Sequence, residues 1–281
     1  MTDRKSELLM AGPTTRTLSV LEHLAHHFEG LPLVAIADDL GMPRSAAHRL
    51  LTELCDAGYV RQVRNHGDYV LTTKLASLGL SYLSNTGVQD IAQPILDRLA
   101  QDSGEFVRLG VIDVDHIAWL ARSQGARSGL RYDPEMGMVA QLSCTSAGLA
   151  WMLTLADEKA IELVSKQGFG SRDEFGPNAP QTVRELLAHI EASRKRGYSM
   201  TVDMFMPGMA AMAAPIRRRG QEAVGTVSIA GPSSRLTEQR MIELAPRLLD
   251  AANELAASGG GTLLLRGSSL AGGHPVLSSG D

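Results

Sequence analysis

Within the stretch PRSAAHRLLTELC, five side chains could make polar contacts with a partner, and the residues between them fix which way they point. Ala47, Leu50, Leu51 and Leu54 follow the i, i+3, i+4, i+7 spacing of one helical face. Arg44, Ser45, His48 and Thr52 fall on the opposite face, with Arg49 at its flank. All five can donate to phosphate oxygens or to base edges in a DNA major groove. A second group, CTSAG around Ser146, has the outline of a nucleophile elbow, but Cys144 occupies the place of the first glycine. His116 and His189 could serve as bases, yet no spacing joins either of them to an acid. The two cysteines, Cys55 and Cys144, carry no metal-ligand spacing, and neither a P-loop nor a dinucleotide fingerprint occurs. The expectation is a protein that is not an enzyme and has no catalytic residue, cofactor or metal.

The elements that must position the first group can be read on either side of it. Val34, Ile36, Ala37 and Leu40 form a short apolar face that Gly41 interrupts. Pro43 then suits the first turn of a new helix, where its missing N–H costs nothing. Two short helices around a turn containing glycine, the second with a polar outer face, make a helix-turn-helix. The following YVRQVRNHGDYVL reads as a β wing carrying Arg61 and Arg64, with Asn65, His66 and Gly67 at its tip. From Pro43 to Gly67 four arginines face two acids, a local net charge of +2. The whole chain carries −4, so contact with nucleic acid has to come from this patch and not from bulk charge. Ahead of the motif, TRTLSVLEHLAHHF places Leu18, Leu21, Leu24, Ala25 and Phe28 on one stripe, with Thr15 or Thr17 as cap and an end near Glu29-Gly30. Behind it, Leu75, Leu78, Tyr82 and Leu83 line a linker helix that stops at SNTG.

Beyond the linker, strands alternate with helices. PILDRLAQDSG is helical, and EFVRLGVIDVDHIAWLARS reads as two strands joined at Asp113-Val114-Asp115. TSAGLAWMLTL, DEKAIELVSKQG and PQTVRELLAHIEASRKRG are helical, and YSMTV, MAAMAAPIR and AVGTVSIAG are strands. A long helix closes the region despite Pro246. This is an α+β domain with a mostly antiparallel sheet. The expected division is a mobile arm over 1–13, a winged helix-turn-helix over 14–72, a linker helix over 73–91, an effector domain over 92–258 and a disordered Gly/Ser-rich tail over 259–281. With 281 residues, 44% of them apolar, the chain can bury two cores. The sparse cysteines, the absence of about 18 consecutive apolar residues and the lack of a signal-peptide core point to a cytoplasmic protein with no membrane contact.

TRTLSVLEHLA, VAIADDLGMPRSAAHRLLTELCDAGYV and GDYVLTTKLASLG resemble the winged DNA-binding domain of IclR-type bacterial transcription regulators. TSAGLAWM and GYSMTVDMFMPGMAAMAAPIRRRGQEAVGTVSIAGPSSRLT resemble the effector domain of the same family, and together the segments span about 14–258. The resemblance implies a GAF-like α/β effector domain, a homodimer or dimer of dimers, and binding to double-stranded operator DNA that a small metabolite alters, with repression favoured over activation. It also implies a ligand site at Ser146 and Ala147, at Tyr132 and Ala140, at Thr201 and Ala211, and at Ser228 and Ala230. Where relatives that bind very small acids carry an acid, a cysteine and a second serine, this chain has Thr201, Ala211 and Ala230, and Leu149 replaces the lysine of the AGK run. Those changes favour an organic acid with an aromatic or apolar body. Its carboxylate would meet the free N–H groups beside Ser146 and Ala147, on a helix capped by Ser143 or Thr145. Met200, Met204, Met206, Met209 and Met212, with Met136 and Met138 opposite, would form an adaptable apolar wall.

Overall fold

The computed structural model describes residues 12–63, 67–132, 134, 139–171, 173–218 and 220–258. Apart from Gly12 and Pro13, the arm expected over 1–13 lies outside the described residues, as does the tail expected over 259–281. The chain divides into two compact units, Met1–Asn85 and Thr86–Asp281.

The first unit opens with α1 (Pro13–Ala25), α2 (Leu33–Asp39) and α3 (Arg44–Asp56). Val20 and Leu24 of α1, Ile36 and Ala37 of α2, and Ala47, Leu50, Leu51 and Leu54 of α3 close one core. Burying a leucine side chain is worth about 1.5–3 kcal/mol, so this small core is what sets the angle of α3. Strands β1 (Val60–Gln62) and β2 (Tyr69–Leu71) pair antiparallel as the wing, with Val60 opposite Leu71. A third segment joins them, because Leu31 and Tyr69 exchange backbone bonds of 3.1 and 2.8 Å. Gly30, at φ 96°, turns the chain into that pairing, where a Cβ would lie 2.6 Å from Val70. This pairing corrects the first helix, which stops at Ala25, short of the expected Glu29-Gly30, and leaves Phe28 88% exposed. Its N-cap is Gly12, and the Thr17 hydroxyl donates back to the Pro13 carbonyl, so neither expected threonine caps the helix. Pro43 stands at the N-cap of α3, one place earlier than expected.

Helix α4 (Thr73–Thr86) is fixed at its start. The Thr72 hydroxyl donates to the Gly58 carbonyl, and Lys74 donates to the Ala57 carbonyl while lying 4.6 Å over the Tyr59 ring. Gly87, at φ 67°, ends it, so the linker expected over 73–91 is divided at that glycine. The next helix, α5 (Val88–Ser103), carries Pro94 inside it instead of starting there.

In the second unit, β3 (Phe106–Asp113), β4 (His116–Gln124), β5 (Ser199–Val202), β6 (Met209–Ile216) and β7 (Gly225–Pro232) form one antiparallel sheet in the order β4-β3-β7-β6-β5. Helices α5 and α9 (Glu238–Ser258) cover one face, and Pro246 sits within α9. Helix α6 (Ser146–Met152) lies on the other face against β5, β6 and β7, backed by α8 (Val183–Arg196), with α7 (Asp157–Gln167) in the same core. The strand alternation thus reads as apolar toward α5 and α9, through Val107, Leu109, Val227 and Ile229, and mixed toward α6. Helix α6 ends at Met152, well short of the full TSAGLAWMLTL stretch. The Gly148 N–H donates to the Thr145 hydroxyl at 3.1 Å, so Thr145 is the cap. No helix among the described residues is long and apolar enough to cross a membrane.

Candidate functional site

Two sites can be built from the residues upward. On α3, Arg44, Ser45, His48, Arg49 and Thr52 are all exposed, opposite the four buried residues that anchor the helix. Arg44 approaches Asp38 at 4.0 Å and Arg49 approaches Glu53 at 3.9 Å, with every partner more than half exposed. Contacts this loose and wet are worth about 0–1 kcal/mol, so both guanidiniums can exchange them for phosphates or bases at little cost. The Thr52 hydroxyl donates to the His48 carbonyl, which leaves its oxygen to accept. Arg61 is exposed on β1. The wing positions Arg64 and His66 lie outside the described residues.

The second site is a small cavity of about 30 Å³ between the sheet and α6, beside a cleft of about 390 Å³ that shares Arg108, Trp119, Tyr132, Thr145 and Phe205 with it. Two cross-sheet rows supply its floor through Thr201, Ala211, Ala230, Arg108 and Ser228. Phe106, Ala230, Ala211 and Thr201 stand side by side in one, and Arg108, Ser228, Ala213 and Ser199 in the other. The rows fall on one face because side chains alternate along each strand and neighbouring registers match. Ser146 and Ala147 supply the wall from α6, and Tyr132 and Ala140 come from the loops after β4. All eight positions implied as ligand-binding therefore border the cavity or its adjoining cleft.

Several neighbours hold this wall in place. Gln141 donates to the Gly168 carbonyl at 2.6 Å. The Gln167 side chain accepts from Leu142 N at 2.7 Å and donates to the Ala140 carbonyl at 3.0 Å. Ser199 donates to the Ser146 carbonyl at 2.6 Å, tying β5 to the start of α6. Thr201 donates to the Ala211 carbonyl at 3.3 Å, so its proton is already engaged.

The methionine wall is largely displaced. Among the methionines, Met206 and Met209 line the two cavities. Met200 and Met212 form a register pair one position out of phase with the cavity rows, which turns them to the other face of the sheet. Met204 is packed in the core beneath α6. Met136 and Met138 lie outside the described residues. The apolar surface comes instead from Phe205, Trp119 and the alanines.

The elbow-like CTSAG serves packing. Burial pushes the Cys144 thiol up to about 12, which suppresses the thiolate. A Cβ on Gly148 would fall 2.2 Å from the Leu142 carbonyl oxygen, so the glycine is needed for close approach. His116 pairs with Asp115 at 3.4 Å on the β3–β4 hairpin, and burial lowers the pKa of His189, helped by Arg196. No hydrogen bond among the described residues links either histidine to Ser143, Cys144 or Ser146.

Sequence reasoning missed Arg108. Its guanidinium carbon lies 3.8 Å from the Trp119 ring centroid, 5.6 Å from Phe106 and 5.9 Å from Tyr132. Burial pushes its pKa down, an effect that the Tyr132 hydroxyl partly offsets. The Tyr132 phenol is in turn raised by burial and drawn back by Arg108. The only legible signal was an arginine inside an otherwise apolar strand.

Comparisons with known proteins agree with this layout. Residues 13–64 match the family model described as "IclR helix-turn-helix domain", and residues 80–257 match "Bacterial transcriptional regulator IclR C-terminal". The chain is 32% identical over 249 residues to the acetate operon repressor of Salmonella typhimurium, covering 88% of this chain and 90% of that protein. The IclR transcriptional regulator of Alicyclobacillus acidocaldarius shares the fold at TM-score 0.75 and 19% identity, over 87% of this chain and 97% of that one. An IclR homolog from Microbacterium hydrocarbonoxydans, solved with 4-hydroxybenzoate, shares it at TM-score 0.68 and 20% identity, over 90% and 100%.

Proposed function

The chain belongs to the IclR family of bacterial transcriptional regulators, and on that premise we propose that it represses transcription from a palindromic operator and releases or tightens its hold when a small organic acid enters the cavity. The observation that carries this reading is the outer face of α3: five exposed polar side chains on a helix whose opposite side is locked into a core. Arg44, Ser45, His48, Arg49 and Thr52 would enter the major groove, while Arg61, Arg64 and His66 of the wing would meet the backbone. A similar repressor in Salmonella supports repression over activation.

Paired half-sites need paired chains. Helix α4 leaves Leu75, Leu78 and Tyr82 exposed at i, i+3 and i+7, an apolar stripe that a second copy would cover. A homodimer, or a dimer of dimers, would set two α3 helices in successive grooves about 34 Å apart. In the cytoplasm the two free cysteines would remain thiols.

For the effector, Tyr132, Ala140, Ser146, Ala147, Thr201, Ala211, Ser228 and Ala230 are the proposed contacts. With Trp119, Phe205 and Met209 beside them, they suit an acid with an aromatic or medium-chain body better than a two- or three-carbon oxoacid. The bound 4-hydroxybenzoate of the Microbacterium relative supports that class. Footprinting on the DNA upstream of the gene, repeated over a salt series, tests the reading. A protected pair of half-sites with steep salt dependence is expected, and weak binding without a footprint would refute it.

A further inference from the structure

We infer that Arg108, with Ser228 beside it, anchors the anionic group of the ligand, so that the effector enters with its carboxylate toward β3 and β7 and not toward the start of α6. The inference rests on the proposed function insofar as the cavity is the effector site.

Three observations carry it. The Arg108 Nε and the Ser228 Oγ are both buried without a hydrogen-bond partner, and the two residues are direct register neighbours on β3 and β7. Buried donors left unmatched are costly, and these two stand side by side where both can donate to the oxygens of one anionic group. Second, no acid lines the cavity among the described residues, and the other register neighbour of Arg108 is Arg122, a second cation. Trp119 and Phe106 box the guanidinium by ring contacts and the Tyr132 hydroxyl hydrogen-bonds it, which fixes its plane without an acid to neutralise its charge. Gly110 makes the stacking possible, because a Cβ there would lie 3.2 Å from the Trp119 ring and 2.5 Å from Ile117. The third observation narrows the competing anchor. Helix α6 has only seven residues, and its first turn already places Gly148 N–H on the Thr145 hydroxyl and Leu149 N–H on the Thr145 carbonyl, which leaves a ligand there the N–H groups of Ser146 and Ala147 and no charged side chain of the helix.

A planar carboxylate fits this arrangement, with oxygens accepting from the guanidinium edge and from the Ser228 hydroxyl. The rest of such a ligand would run over Ala230 and Ala211 toward Phe205 and Met209, where no charge is waiting. A neutral amide of the same shape would leave the buried cation unpaired.

The test uses the full chain and the quenching of its tryptophan fluorescence, with benzoate, 4-hydroxybenzoate, phenylacetate and octanoate as probes and each probe's amide as the neutral control. The parent protein should bind at least one acid tighter than its amide, and Arg108→Met should lose on the order of 30-fold in affinity for that acid while its amide affinity stays within about threefold. Ser228→Ala should lose several-fold on the acid alone. Thermal melts without ligand supply a second readout: removing an unneutralised buried charge should leave the Arg108→Met melting temperature equal or higher. A marked fall would mean that an acid of the chain already satisfies Arg108, and would overturn the inference. Undiminished acid binding by Arg108→Met would overturn the anchor alone, leaving the cavity as effector site. Failure of the parent to bind any of the acids would overturn both.

Discussion

Arg235 grips Glu105 with two parallel hydrogen bonds, Nε to Oε1 and Nη2 to Oε2, each 2.8 Å, and its Nη1 reaches the Leu130 carbonyl at 3.0 Å. Glu105 is nearly buried at the start of β3, whereas Arg235 follows β7. The pair therefore ties the end of one cavity strand to the loop that delivers Tyr132. Glu105 raises the Arg235 pKa further, so the cation persists at any working pH. Arg235→Ala leaves a buried carboxylate without its partner and should cost on the order of 2 kcal/mol in urea unfolding. Hydrogen exchange should quicken across 126–132, and an unchanged exchange pattern would count against the clamp.

Gly148 is held to glycine by the backbone of Leu142, whose carbonyl oxygen a new Cβ would meet at 2.2 Å. Helix α6 is buried along its whole length, so it cannot move away. Gly148→Ala should destabilise the second unit by roughly 3 kcal/mol or more through overpacking. Thermal unfolding checks this, and a melt like the parent's would show that α6 can shift.

How much of this was legible from sequence depended on how local the signal was. The α3 face and the β3–β4 hairpin follow from spacings of a few residues, and their positions needed no partner. The first helix is expected to run long because Phe28 completes a helical stripe, whereas the backbone pairing of Leu31 with Tyr69, 38 positions away in the chain, ends it early. The stretch PILDRLAQDSG is helical as expected, yet the helix begins six residues earlier, at Val88 after Gly87. The cavity rows depend on β3 pairing with β7, more than a hundred residues later, which no local pattern encodes. Arg108 was passed over for the same reason: an arginine on a strand reads as solvated until both faces of the sheet are known to be covered.

Arg44→Ala and Arg49→Ala should each weaken specific operator binding by about 1–3 kcal/mol if either makes a bidentate base contact. Neither should change stability by more than about 0.5 kcal/mol, since both side chains are exposed and loosely paired. Arg61→Ala should reduce affinity for all duplexes alike and flatten the salt slope by about one phosphate contact. Titrations of specific and scrambled duplexes at several salt concentrations distinguish the two patterns, and a footprint unchanged in all three variants would exclude α3 as the reader.

His189 adds a pH dependence to the second unit. Its folded pKa is depressed by burial, then by Arg196, so the neutral ring is favoured in the fold. A base with a depressed folded pKa contributes stability that is fully present above its unfolded value, about 6.5, and is lost as pH falls through the folded pKa. The urea midpoint should therefore drop as pH is lowered from 7.5 toward 5.5, and His189→Gln should drop less. Identical slopes for parent and variant would assign the pH dependence to other groups.

The most direct measurement is operator affinity with and without ligand, by fluorescence anisotropy on the footprinted duplex, for the parent chain and for Ala211→Asp. Ala211 stands in the cavity row beside Ala230, on the path of the ligand body, and is remote in sequence from α3. In the parent, 4-hydroxybenzoate or another aromatic or medium-chain acid should shift operator affinity roughly 5- to 150-fold, the usual range of coupling between two sites. Ala211→Asp should bind the duplex as the parent does and no longer respond, because a buried like charge repels the acid. A variant that still responds, or a parent that ignores these acids and answers only to pyruvate or glyoxylate, would contradict the assignment of the cavity as the switch for an apolar-bodied acid.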